Sequence, residues 1–391
     1  MRFSLSTQIV AVIFMRLLLN TGRRFIYPFA PAISRFLAVP LSAVTPIIAV
    51  SQVSSLLGLF SGVAADRLGT RYVMRVGLAL LAIGMLCCGL VPAYWPLFCG
   101  LVVASFGKTV FDPAIQAFIG RHVEFSRRGR IIGLVETAWA GSTLFGIPAL
   151  GLIIDALGLR VAFFLFAVLG ALAWLSLGLV FPHDTRGSAE SYQQRPMWGD
   201  LLLLLRIRPA AGMLAFGFWV SIANDSIFVT YGAWFEKAFG VSLVALGFST
   251  IAIGGAELLG ETCTALFSDR IGLKRACILG LVGVTLAYLL LPLFGISLGA
   301  AMVGMFCIFF CFEFVIVTSF SLSTELMPEA RATMMAGFYA TAGLGRMLGV
   351  LLGGWLWQQG GIVAVTCSAA SCTVLGLLSL LWGLAGWRHH S

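Results

Sequence analysis

The sequence predicts an all-α membrane protein: twelve transmembrane helices in two pseudosymmetric six-helix bundles. Three observations carry this. Hydrophobic residues make up 60% of the 391 and charged residues only 10%, whereas soluble domains carry about 25% charge. The apolar residues are gathered into twelve stretches, each close to the ~20 residues that cross a bilayer as a helix. Finally, the chain repeats itself: Asp66-Arg67-Leu68-Gly69-Thr70-Arg71 returns 203 residues later as Asp269-Arg270-Ile271-Gly272-Leu273-Lys274. Each copy fills a short polar gap between two apolar stretches, as a duplicated membrane fold requires.

In order, the expected spans are 8–34, 42–65, 73–91, 95–119, 130–154 and 161–181, then 209–234, 242–267, 276–295, 298–324, 332–357 and 361–386. The long polar stretch between the sixth and seventh gives three regions: a six-helix bundle at 1–181, a cytoplasmic linker at 182–208 and a second bundle at 209–391. The first span is too long for a signal-peptide core and is expected to be retained. Pro28 and Pro31 are expected to bend it. The series Gly345, Gly349 and Gly353 gives the eleventh span a smooth face for close packing.

A net charge of +9 suggests nucleic acid until its distribution is read. Of the 25 Lys and Arg, five lie inside spans and three (Arg35, Arg160, Lys237) on one side; the remaining seventeen fall on the other. Basic loops stay cytoplasmic, so both termini and the linker are expected inside. The excess is a topology signal, with no nucleic-acid partner implied. The nine cysteines show no zinc-type spacing with histidine. Gly107-Lys108-Thr109 resembles the tail of a phosphate loop, but position 102 is valine and no strand precedes it. Neither a metalloprotease nor an esterase motif is present. No enzyme, metal or cofactor is expected.

The segment Gly62-x-x-x-Asp66-Arg67-x-Gly69-x-Arg71, with its copy Asp269-Arg270-x-Gly272-x-Lys274-Arg275, resembles the signature loops of the major facilitator superfamily, and the resemblance spans the chain. Within it, Arg24-Phe25-Ile26-Tyr27-Pro28-Phe29, Lys108-x-x-x-Asp112-Pro113-Ala114 and Arg128-Gly129-Arg130-x-x-Gly133 are similar to bacterial arabinose- and drug-efflux-type permeases. Two positions depart from that pattern. Lys108 stands where many members have arginine, and Gly146-Ile147-Pro148 is only a partial antiporter motif. The resemblance implies a secondary transporter of the bacterial cytoplasmic membrane, working by alternating access as a monomer. It also implies a cytoplasmic gate at the hairpins, formed by Gly62, Asp66, Arg67, Gly69, Arg71, Asp269, Arg270 and Gly272, with Arg346. A solvated turn is the plainer alternative, since Gly69 and Gly272 permit tight turns in any case.

Ionisable groups inside a membrane are costly and face a cavity or one another. Here they are Arg16, Arg23, Arg24, Lys108, Asp112, Glu136, Asp225, Glu257, Glu261, Glu313 and Arg346. The interiors of the third, sixth, ninth and twelfth spans hold none, matching the lipid-facing helices of the resembled fold. At ~1.5 Å per residue, Arg24 and Asp225 lie about 24 Å from the cytoplasmic start of their helices. With Lys108 and Glu313 they are expected near mid-depth, joined by Asn20, Asn224 and Tyr27 as substrate-binding groups. Trp139, Phe228 and Tyr231 are expected as aromatic walls or as ordinary packing.

Lys108 and Asp112 are four apart and expected to pair; a direct substrate role for Lys108 is the alternative. Glu257 and Glu261, also four apart, resist joint ionisation, so the pair is expected to hold a proton. Neutralisation by Arg346 or a first-span arginine is the other possibility. No basic residue lies three or four positions from Glu313. The proton-coupling candidates are thus Glu313, Asp225, Glu257, Glu261, Asp112 and Glu136. The leading expectation is proton-coupled export of a small amphipathic organic compound. Uptake or facilitated transport of a small organic anion or zwitterion is second, and a non-transporting membrane sensor third.

Overall fold

The computed structural model describes residues 4–181, 204–327 and 331–386, without the side chains of 53, 55–67, 120–121, 125–130, 133, 269, 324 and 331–333. Every regular element among these residues is helical. In order they are α1 (Leu5–Arg24), α2 (Ala30–Leu37), α3 (Leu41–Leu68), α4 (Thr70–Leu90), α5 (Tyr94–His122), α6 (Phe125–Gly141), a π-helical turn (Ser142–Gly146), α7 (Ile147–Leu157), α8 (Leu159–Val180), α9 (Arg208–Phe239), α10 (Leu243–Ile271), α11 (Leu273–Leu290), α12 (Leu298–Leu326) and α13 (Arg331–Gly383). Ten helical stretches are long and apolar enough to cross a membrane, among the described residues. Large apolar side chains such as Phe14, Leu179 and Ile296 point outward, as lipid-facing positions require.

Two expected boundaries change. The first span is interrupted rather than bent. α1 ends at Arg24, residues 25–29 form turns, and α2 begins at Ala30. Pro28 has no N–H to give to the ladder, and Tyr27 N–H bonds back only to Arg24 O at 3.1 Å. Beyond α2 the chain bends by 118° into α3, with Ala38 left-handed at φ 52°. At the other end, α13 runs for 53 residues but is broken at Gly360 and Gly361.

The left-handed turns recur at the spacing of the sequence repeat. Gly69 (φ 94°) is matched 203 residues later by Gly272 (φ 88°), and Gly158 (φ 84°) by Gly361 (φ 58°). Ala38 and Gly240 (φ 63°) form a third pair, 202 apart. The side chains beside these turns repeat too. Arg71 donates to the Gly178 carbonyl at the end of α8, and Lys274 donates to the Leu384 carbonyl past the end of α13 at 3.1 Å. Both satisfy helix-terminal carbonyls that have no partner within their own helix. Alanine at Gly272 is expected to cost roughly 1–3 kcal/mol, since its Cβ forces strain into a left-handed position. A fall in the thermal unfolding midpoint of the purified protein would register it.

Two compact units are present. The first comprises Met1–Tyr192 with Val241–Gly254, the second Gln193–Gly240 with Gly255–Ser391. Within each, small residues let helix backbones approach, because between lipid-immersed helices packing replaces the hydrophobic effect. In the first unit, a Cβ at Gly77 would lie 3.1 Å from Phe111 Cβ, and one at Gly84 would lie 2.6 Å from the Ala104 nitrogen. This seats α4 on α5. In the second, Gly345, Gly349 and Gly353 of α13 press on Phe218, Ile222 and Ser226 of α9, so the smooth glycine face expected from the sequence is used.

Candidate functional site

In the first unit, polar side chains from four helices meet inside the span region. Arg16 of α1 reaches two carboxylates on different helices: Nε to Asp112 Oδ1 of α5 at 3.2 Å, and Nη2 to Glu136 Oε2 of α6 at 2.7 Å. Lys108 Nζ pairs with the other oxygen of Asp112, so the expected ion pair forms. Gln116 Nε2 approaches Glu136 Oε1 at 3.5 Å. A separate chain runs from Arg23 Nη2 to Gln52 Oε1 (2.8 Å), and from Gln52 Nε2 to the Tyr27 hydroxyl (2.8 Å). Each of these cations sits in low dielectric. Removing one partner of such a buried network is far costlier than exchanging a surface pair.

Trp139 organises the upper part of this cluster. The Arg24 guanidinium lies 4.1 Å over its ring centre, and Lys108 Nζ is 5.5 Å from the same centre. Arg24 Nη1 also approaches the Trp139 carbonyl at 3.4 Å. Cations favour the electron-rich indole face. One residue after Ala140–Gly141, the helix widens into the π-helical turn, a local distortion common at functional sites. There Gly146 lies against Thr21 of α1, and the Thr143 carbonyl accepts a 2.8 Å bond from the Thr250 hydroxyl. Asn20, between Arg16 and Arg24 on the same face of α1, is fully buried.

In the second unit, Asp225 is buried in α9, with Arg346 Nε of α13 at 3.9 Å from its Oδ2. Arg346, expected at a gate, thus stands beside a mid-helix carboxylate. Asn224 is buried next to Asp225, and the Phe228 and Tyr231 rings stack at 5.8 Å. Glu257 is buried in α10 and Glu261 half-buried one turn on. Between them Gly260 packs so tightly on α12 that a Cβ there would lie 2.9 Å from Glu313 Cβ. The fold therefore brings the Glu313 backbone beside the Glu257–Glu261 segment.

Of the residues expected at the gate, Gly69 and Gly272 occupy the left-handed turns and Arg71 holds the end of α8. Arg270 is exposed in the last turn of α10. The side chains of Asp66, Arg67 and Asp269, and the surroundings of Gly62, lie outside the described residues.

Sequence reasoning missed three participants: Arg16 as the bridge between two carboxylates, Gln52 as the link from Arg23 to Tyr27, and Tyr288. The Tyr288 phenol is buried in α11 without a hydrogen-bond partner among the described residues, and within electrostatic reach of Asp225. Only Arg16 left a signal, its four-residue spacing from Asn20 on one face of α1.

Residues 12–343 and 214–390 match the family model of the Major Facilitator Superfamily. The chain belongs to this superfamily. It is accordingly a multi-pass membrane transporter and not an enzyme. YceJ, an MFS-type transporter of Bacillus subtilis (strain 168), is 23% identical over 305 residues, 78% of this chain and 77% of its own length. The Multidrug resistance protein B homolog of Mycobacterium tuberculosis (strain CDC 1551 / Oshkosh) is 28% identical over 167 residues, 43% of this chain and 30% of that protein. The crystal structure of the nucleoside transporter NupG superposes with a TM-score of 0.80 at 15% identity, covering 98% of this chain and all of NupG. That likeness is one of fold. The membrane-embedded charges described above are thus part of a superfamily scaffold built for moving solutes.

Proposed function

We propose that this protein exports a small amphipathic organic compound across a bacterial cytoplasmic membrane, coupled to protons, by alternating access. The observation that carries the proton part is the burial of Asp225, Glu257 and Glu313 within membrane-spanning helices. Carboxylates are expensive there unless they exchange protons or stabilise another charge. Export is favoured by the likeness to the multidrug resistance protein homolog. The working unit is a monomer of twelve spans, in halves 1–181 and 209–391 joined by a cytoplasmic linker at 182–208, with both termini inside. The left-handed turns repeating at 202–203 residues, and the break of α13 at Gly360–Gly361, support that count. The hairpins around Asp66 and Asp269 act as the cytoplasmic gate in this reading.

The test is internal pH in proteoliposomes holding the purified protein, challenged with cationic, anionic and zwitterionic solutes. A solute-triggered proton flux is expected, abolished by Glu313→Gln or Asp225→Asn and altered in its pH dependence by Glu257→Gln or Glu261→Gln. Radiolabelled solute that equilibrates with no pH change would instead mark a uniporter and leave these carboxylates structural. One observation favours a second reading, transport of a small organic anion or zwitterion: Arg24 and Lys108 both lie against Trp139, in the same unit as Arg16. Solute flux of either kind would dispose of a sensor role.

A further inference from the structure

Arg16 and Asn20, both buried on α1, each carry polar side-chain atoms with no hydrogen-bond partner among the described residues. Arg16 uses Nε on Asp112 and Nη2 on Glu136, while its Nη1 is buried with no hydrogen-bond partner among the described residues. Asn20, four residues on and therefore on the same face, has a relative exposure of 0%, and among the described residues neither its amide nitrogen nor its oxygen has a partner. Native interiors seldom keep such groups without a purpose, because each loses its water on burial. Here two donor-bearing groups go unsatisfied one helical turn apart, in helices the sequence spends on charge.

The surroundings select the guest. The Arg24 guanidinium and the Lys108 ammonium lie 4.1 Å and 5.5 Å from the centre of the Trp139 ring. Trp139 follows Glu136 by three residues on α6, so the indole stands on the face that meets Arg16. An apolar guest would leave Arg16 Nη1 and the Asn20 amide unpaired. A cationic guest would find Asp112 and Glu136 already engaged by Arg16 and Lys108, and would meet the Arg24 guanidinium over the Trp139 ring. A planar oxyanion offers two acceptors in one plane, which suits the fork of a guanidinium and the N–H pair of an amide. An aromatic or other flat apolar body beside it would lie along the indole.

We propose that Arg16 and Asn20 form a carboxylate subsite within the first unit, and that the transported compound is a small amphipathic organic acid. This rests on the transport reading and names its substrate class. It gives Arg16 a double role: it holds Asp112 and Glu136 with two nitrogens and offers the third to the guest.

Benzoate, benzyl alcohol and benzylammonium test it, since they share a ring and differ in charge. Binding to the full-length purified protein is measured by titration calorimetry, and movement in proteoliposomes. Benzoate is expected to bind at least tenfold more tightly than either of the others. Asn20→Ala, which removes an unsatisfied amide and so should fold, is expected to weaken benzoate about tenfold without changing benzyl alcohol. Asn20→Asp should abolish benzoate binding by placing a like charge at the subsite. Equal affinities for benzoate and benzyl alcohol in the natural protein would overturn the proposal without any variant. So would an unchanged benzoate affinity in folded Asn20→Ala, which would mean that internal water alone meets these groups. Benzylammonium moving while benzoate does not would overturn the carboxylate subsite and leave transport standing. Benzoate binding at Asn20 with no flux of any probe would support the subsite and sink the transport reading.

Discussion

Replacing Arg16 with methionine is expected to abolish transport and to lower the unfolding free energy by roughly 1–3 kcal/mol, less than for a fully buried network because the side chains of Asp112 and Glu136 are 29% and 43% exposed. Arg16 ties α1 to both α5 and α6 by ion pairs. Without it Asp112 keeps Lys108, but among the described residues Glu136 keeps only the long contact to Gln116. The energetic loss is therefore concentrated at Glu136. The double variant Arg16→Met with Glu136→Gln should recover a substantial part of the stability and none of the transport. Thermal and denaturant unfolding in detergent, beside solute flux in liposomes, separates the two effects. An Arg16→Met protein as stable as the natural one would show that lipid-phase packing, and not this network, holds α1 in place. Arg16→Lys is a sharper probe of geometry, because a single ammonium cannot present separate nitrogens to two carboxylates on two helices.

Leucine at Gly349 should be at least as damaging to the second unit. A Cβ there would lie 2.9 Å from the Ile222 Cα and closer still to the Ile222 carbonyl, and these are backbone atoms in the middle of a helix. No rotamer change can relieve that contact, so α9 and α13 must move apart along the Gly345–Gly353 face. Overpacking of this kind costs about 1–3 kcal/mol for modest insertions and more when backbone must shift. The prediction is graded: Gly349→Ala loses stability and Gly349→Leu fails to accumulate in the membrane. Gly299 is the control. It lies in α12 with nothing within 4 Å of an added Cβ, and alanine there should stabilise by roughly 0.5–1 kcal/mol. Opposite signs for the same chemical change would tie the effect to helix contact. Equal effects would assign it to helix propensity instead.

Local relationships were legible in the chain and long-range ones were not. The Lys108–Asp112 pair followed from spacing alone, since residues four apart on a helix are neighbours whatever surrounds them. The turns at Gly69 and Gly272 followed from glycine in a short polar gap. The glycine face of Gly345, Gly349 and Gly353 was visible as a pattern, though not its partner on α9. The first span differed in kind: two prolines suggested a bend, whereas residues 25–29 form turns that interrupt the helix. The approach of Arg346 to Asp225 was not legible either, because it depends on how α13 lies along α9.

The sequence by itself determined that this chain lives in a membrane, that its Asp-Arg-x-Gly hairpin recurs 203 residues on, and which spans carry charge. Those properties follow from the free energy of placing each residue in lipid and from a spacing that survives in the order of residues. Only the tertiary structure decided which charge serves which. Arg16, Asp112 and Glu136 are separated by 96 and 120 residues in their hydrogen bonds, and nothing in local periodicity links them. A buried ion chooses the partner that packing brings within about 3 Å, and packing is settled by small residues on helix faces far from the charges themselves.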